Sequence, residues 1–77
     1  MTVEIITPDK ELFNGDATSL VVPGSDGLLG ILNSHAPLIS SLKKGVVKLS
    51  TDSGEQTFDI KGGVVEVLNN KVMILAE

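Results

Sequence analysis

The 77 residues carry six basic and ten acidic side chains, a net charge of −4, two phenylalanines, one histidine and no cysteine. That length holds one domain and no second core; with no disulfide available, and only His35 as an imidazole, a tetrahedral zinc site is excluded because three carboxylates would have to complete it. The absence of arginine and the pair Phe13 and Phe58 as sole aromatics leave neither the cationic surface nor the stacking platforms of a nucleic-acid binder, and no apolar run approaches the roughly 20 residues of a membrane-spanning helix.

Along the chain, turn residues recur at short intervals: Thr7-Pro8-Asp9, Asn14-Gly15-Asp16, Pro23-Gly24-Ser25-Asp26-Gly27, Asn33-Ser34, Lys44-Gly45, Asp52-Ser53-Gly54, Gly62-Gly63 and Asn69-Asn70. Each cluster supplies positive φ or presets a reversal. The segments between them are short and rich in Val, Ile, Leu and Thr, which predicts an all-β sandwich or barrel. Asn14-Gly15 predicts a type I′ turn joining Lys10–Phe13 to Ala17–Val22 as a hairpin. The glycine-rich Gly24–Gly30 stretch lacks the lysine and glycine spacing of a phosphate loop, so it reads as a tight hairpin linking Leu20–Val22 to Leu28–Leu32. Ala36 to Leu42 contains Pro37, serines and a β-branched Ile39, and is read as extended. Val47 and Leu49 alternate with Lys48 and Ser50, and Phe58 and Ile60 alternate with Thr57, Asp59 and Lys61. Both are strands with one wet face. No segment sustains a helical stripe.

Several segments break simple alternation. Ile5-Ile6, Leu20-Val21-Val22, Val46-Val47, Val64-Val65, Val67-Leu68 and Val72-Met73-Ile74-Leu75 are apolar on both faces. A two-layer sandwich has one inner face per sheet, so a second apolar set is left outside. Strand twist and covering loops account for part of it, and docking surfaces for the rest.

The chemistry-bearing residues are sparse. His35 has Ser34, Ser40 and Ser41 nearby in sequence but no nucleophile elbow, so it is read as a structural or interface histidine rather than a general base. Asp26 and Glu66 are read as solvated carboxylates rather than an acid–base pair. Asp9-Lys10 superficially matches the modified-lysine setting of a lipoyl or biotinyl carrier, but it lies in the first ten residues rather than at a mid-chain hairpin tip. No catalytic residue, metal or cofactor is expected.

One stretch is more specific than any of these. Val21-Val22-Pro23-Gly24-Ser25-Asp26-Gly27-Leu28-Leu29-Gly30-Ile31, followed after a short spacer by His35-Ala36-Pro37-Leu38, resembles the signature of the epsilon subunit of F-type ATP synthases. Thr7-Pro8 with Leu12-Phe13-Asn14-Gly15, Leu42–Lys48, Gly62-Gly63-Val64-Val65-Glu66-Val67 and the closing Val72–Glu77 are similar to the rest of its N-terminal domain, in order. The resemblance implies a flattened, mostly antiparallel β-sandwich or barrel of about ten short strands over residues 1–77. It also implies a non-catalytic central-stalk rotor subunit that links the gamma subunit to the c-ring and couples ion translocation to ATP synthesis.

On that resemblance, Gly24, Ser25, Asp26, Gly27 and Leu28 map to the c-ring contact. His35, Ala36, Pro37, Leu38, Ser40 and Ser41 map to the gamma contact. It implies a peripheral location on the cytoplasmic face of the bacterial inner membrane, with no membrane insertion and no homo-oligomer required. The family commonly adds a C-terminal helical domain. The sequence stops at Glu77, which predicts a short form without it. The family also commonly has a polar residue where this chain has Leu28, and Pro-Gly where it has Asn33-Ser34.

Overall fold

Short β-branched segments between tight turns leave the backbone no partner but a neighbouring strand, and every such segment pairs. In the computed structural model, which describes residues 1–77, these are β1 (Thr2–Ile6), β2 (Glu11–Asp16), β3 (Ser19–Gly24), β4 (Gly27–Leu32), β5 (Leu38–Leu42), β6 (Gly45–Thr51), β7 (Gly54–Ile60), β8 (Gly63–Leu68) and β9 (Lys71–Ala76). The count is nine rather than about ten, and there is no helix, hence none long and apolar enough to cross a membrane.

The hydrogen-bonded order is β2-β1-β9-β8-β5-β3-β6-β7, with β4 on the side of β3. All pairs are antiparallel except β1 with β9. The β5–β3 link is the single pair Gly24–Leu42, and there the sheet folds over into two layers, β2-β1-β9-β8-β5 and β4-β3-β6-β7. The core between them takes Val3, Ile5, Val65, Val67, Val72 and Ile74 from one layer and Leu20, Val22, Ile31, Val47, Leu49 and Ile60 from the other. No polar side chain is buried, so the interior contributes packing alone. The two ends of the strand path, β2 and β7, carry the only two aromatics. The Phe13 and Phe58 rings meet with centroids 6.0 Å apart at 59°, a tilted contact that closes the seam.

The expected hairpin at Asn14-Gly15 does not form. Both residues lie inside β2, opposite Glu4 and Val3 of β1. The reversal that starts β2 lies earlier, at Thr7–Lys10. There the Thr7 N–H donates to the Lys10 carbonyl at 2.8 Å, and Thr7 Oγ1 accepts from the Asp9 and Lys10 N–H groups at 3.3 and 3.2 Å. Once paired with β1, the strand runs on through Gly15, which the Phe13 ring covers: a methyl at Gly15 would sit 3.3 Å from it. The chain changes layer at Ala17-Thr18 instead, with the Ala17 N–H on the Met1 carbonyl (2.9 Å) and the Thr18 N–H on the Ser50 carbonyl (2.8 Å).

The true type I′ turn is Asn69-Asn70, with φ of 51° and 60°, between β8 and β9. Alternation in these two strands buries Val65, Val67, Val72 and Ile74 and turns Val64, Leu68 and Leu75 outward, so the second apolar set of the sequence does lie at the surface.

Candidate partner-docking site

The Gly24–Leu28 segment forms the tip of the β3–β4 hairpin, with Ser25-Asp26 as a two-residue loop. Gly24 has no room for a side chain, since a methyl there would lie 2.6 Å from the Gly27 carbonyl oxygen, and Gly27 completes the reversal at φ 135°. The tip thus places the exposed Asp26 carboxylate and Leu28, which is 74% exposed, at the extremity of the fold. Leu28 begins a ridge on β4: Leu32, two strand-pairs of steps further on, is 66% exposed, with the side-chain-free Gly30 between them.

The His-Ala-Pro-Leu segment lies at the other end of β4, about 17 Å away at ~3.4 Å per residue. Its conformation is held by the β8–β9 turn: the Ser34 N–H donates to Asn70 Oδ1 at 2.7 Å, and Ser34 itself has φ 61°. The His35 N–H donates to the Leu32 carbonyl at 3.2 Å, and its Nδ1 lies 2.7 Å from the Ala36 carbonyl oxygen. The ring is thus bound to its own loop, with no serine hydroxyl or carboxylate among its partners. Pro37 then opens β5, which runs back towards the hairpin tip.

At the tip the two sets of residues meet. The Ser25 N–H donates to the Ser41 carbonyl at 3.0 Å, the two hydroxyls lie 2.8 Å apart, and the Lys43 N–H donates to the Pro23 carbonyl at 2.8 Å. Ser25 and Ser41, expected on different contacts, are one junction. Within β5 the pleat sends Leu38, Ser40 and Leu42 inward and Ile39 and Ser41 outward. Ser40 therefore sits half-buried, its hydroxyl on the Ser41 carbonyl at 3.3 Å. Ile39, absent from the expected set, is 72% exposed. The period-2 pattern through Leu38 and Leu42 is the sequence signal that identifies it.

The fold and these surfaces define an all-β docking domain, with exposed apolar and acidic residues at one hairpin tip and along one sheet. The whole chain, residues 1–77, matches the family model described as "ATP synthase, Delta/Epsilon chain, beta-sandwich domain". The chain belongs to that ATP synthase delta/epsilon family. It is 47% identical over 76 residues to the ATP synthase epsilon chain of Chlorobium limicola, covering 97% of this chain and 86% of that one. Among solved structures, it is similar to a chain in the central stalk and c-ring of the Tetrahymena thermophila mitochondrial ATP synthase (TM-score 0.83, 25% identity, 99% of this chain and 62% of that one). A chain of the Euglena gracilis mitochondrial ATP synthase shares the fold at TM-score 0.88 and 18% identity, and this sequence spans about half of it, 48%. Family membership makes the chain a non-catalytic subunit, with the chemistry residing elsewhere in the complex.

Proposed function

We propose that the chain is a central-stalk rotor subunit of an F-type ATP synthase, docked on the gamma subunit and resting on the c-ring. It transmits rotation driven by ion flow to the catalytic head. The assembly would lie peripherally on the cytoplasmic face of the bacterial inner membrane, with residues 1–77 as the epsilon-type sandwich domain. What carries the reading is the junction at Ser25 and Ser41, which stitches the c-ring hairpin to the strand leading from the gamma segment. A load entering at the tip passes into β5 through three short hydrogen bonds rather than through a flexible loop.

In this assignment Gly24, Ser25, Asp26, Gly27 and Leu28 meet the ring, with Asp26 facing a basic residue of a c-subunit loop and Leu28 making an apolar contact. His35, Ala36, Pro37 and Leu38 meet gamma, with Ser41 joining the two contacts. Pro37 cannot donate to a ladder, which suits a strand start approached by a partner. The test is binding of the tagged chain to purified gamma and to purified c-ring. His35→Asp is expected to weaken gamma binding and leave ring binding intact. Wild-type affinity of that variant for gamma would contradict the assignment.

A further inference from the structure

Outside the tip, the broadest apolar surface is the outer face of β9, β8 and β5. Register sets its rows. Ile6, Leu75, Val64 and Ser41 lie abreast across β1, β9, β8 and β5, and the next row reads Glu4, Met73, Glu66 and Ile39. Glu66 is therefore boxed by apolar neighbours, with Ile39 and Met73 across the ladder and Val64 and Leu68 two residues away on its own strand. Shallow grooves run beside it; one of about 110 Å³ is lined by Ile39, Val64, Glu66, Met73 and Leu75. A second, of about 380 Å³, joins Glu66 and Leu68 to Pro37 and Leu38. Glu66 has no ion-pair partner; the single salt bridge of the molecule is Lys48–Glu55 in the other layer. The other charges on this face are Glu4, beyond Met73, and Lys71 at the rim beside Leu68.

A single carboxylate centred in apolar surface is well hydrated while the face is open, and becomes costly once an apolar partner covers it unless that partner brings a cation. We infer that this face is the continuation of the gamma contact, and that gamma lays on it an apolar segment carrying one lysine or arginine that pairs with Glu66. This rests on the gamma-docking reading above. The groove formed by Pro37 and Leu38 with Glu66 makes the two surfaces continuous, and the charge deficit on the face names the chemistry of the occupant. Glu4 offers the incoming cation a second acceptor on the far side of Met73, while Lys71 at the rim disfavours a second basic group there.

The experiment measures binding of purified gamma to the wild-type chain, Glu66→Gln, Glu66→Lys and His35→Asp, with thermal melts to confirm that each is folded. Glu66 is exposed, so its substitution leaves the core intact. We expect Glu66→Gln to weaken binding about tenfold and Glu66→Lys about a hundredfold or more, since a desolvated cation on gamma would be left unpaired or repelled. An apolar probe, Leu75→Asp, should weaken binding comparably. If His35→Asp loses gamma while Glu66→Lys binds like wild type, this inference is overturned and the docking reading stands. If the wild-type chain itself fails to bind gamma, both fall.

Discussion

Ser34 holds φ at 61°, a conformation that costs a non-glycine residue roughly 1 kcal/mol, and is kept there by its N–H bond to Asn70. Glycine at this position, as the resemblance to Pro-Gly at Asn33-Ser34 implies, avoids that cost. Ser34→Gly is expected to raise unfolding stability by about 0.5–1 kcal/mol, read from the urea midpoint, while leaving the His35 loop in place. Removing the other half of the clamp acts in the opposite sense. Asn70→Ala deletes the acceptor of the Ser34 N–H and puts a residue poor in positive φ into a type I′ turn, so a loss of about 1–2 kcal/mol is expected. Gly63 is less forgiving. At φ 144° any side chain is strained, and a methyl would overlap the Leu75 carbonyl, so Gly63→Ala should destabilise by about 3 kcal/mol or more, or prevent folding outright. For Asp26, the exposed carboxylate supports only a screened pair of about 0–1 kcal/mol. Asp26→Lys should therefore weaken c-ring binding most at low salt, and a salt-independent affinity would contradict an ionic contact there.

Elements reveal what local sequence can and cannot specify. Strands with one wet face, such as β6 and β7, were legible because Val47, Leu49, Phe58 and Ile60 alternate with polar residues, and their burial follows that alternation. The β3–β4 hairpin was legible because Gly24 and Gly27 flank a two-residue loop. The Asn14-Gly15 turn was misread because its preference is local, whereas pairing of β2 with β1 along its full length and cover from Phe13 are not. Asn69-Asn70, a less striking dipeptide, takes the I′ geometry because the register of β8 and β9 leaves two residues for the reversal. Of the docking site, the tip and the histidine segment were legible as motifs. Their junction at Ser25 and Ser41 was not, since residues 16 apart meet only through the fold. Ile39 shows the opposite case, a residue the alternation of β5 identifies while the motif passes over it. At this scale the aromatic seam is testable: a double-mutant cycle on Phe13→Leu and Phe58→Leu should give a coupling of about 0.5–1.5 kcal/mol, and zero coupling would mean the two edges are closed by something else.

For the whole molecule, extents of 26 × 23 × 18 Å leave few residues far from a surface, and the core is confined to one apolar layer. Such a small domain buries a modest share of its surface, so partner contacts contribute to its stability as well as its placement. The hairpin tip, the histidine loop and the outer face of β5–β8–β9 give it distinct contact surfaces on a rigid body, an arrangement suited to holding two other subunits in register. The most direct check is co-purification: tagged chain expressed in cells that make the ATP synthase, recovered from gently solubilised membranes, with gamma and c subunits quantified in the eluate. The account predicts both in one complex, with Asp26→Lys losing c while retaining gamma. Recovery of the folded chain free of both would contradict it.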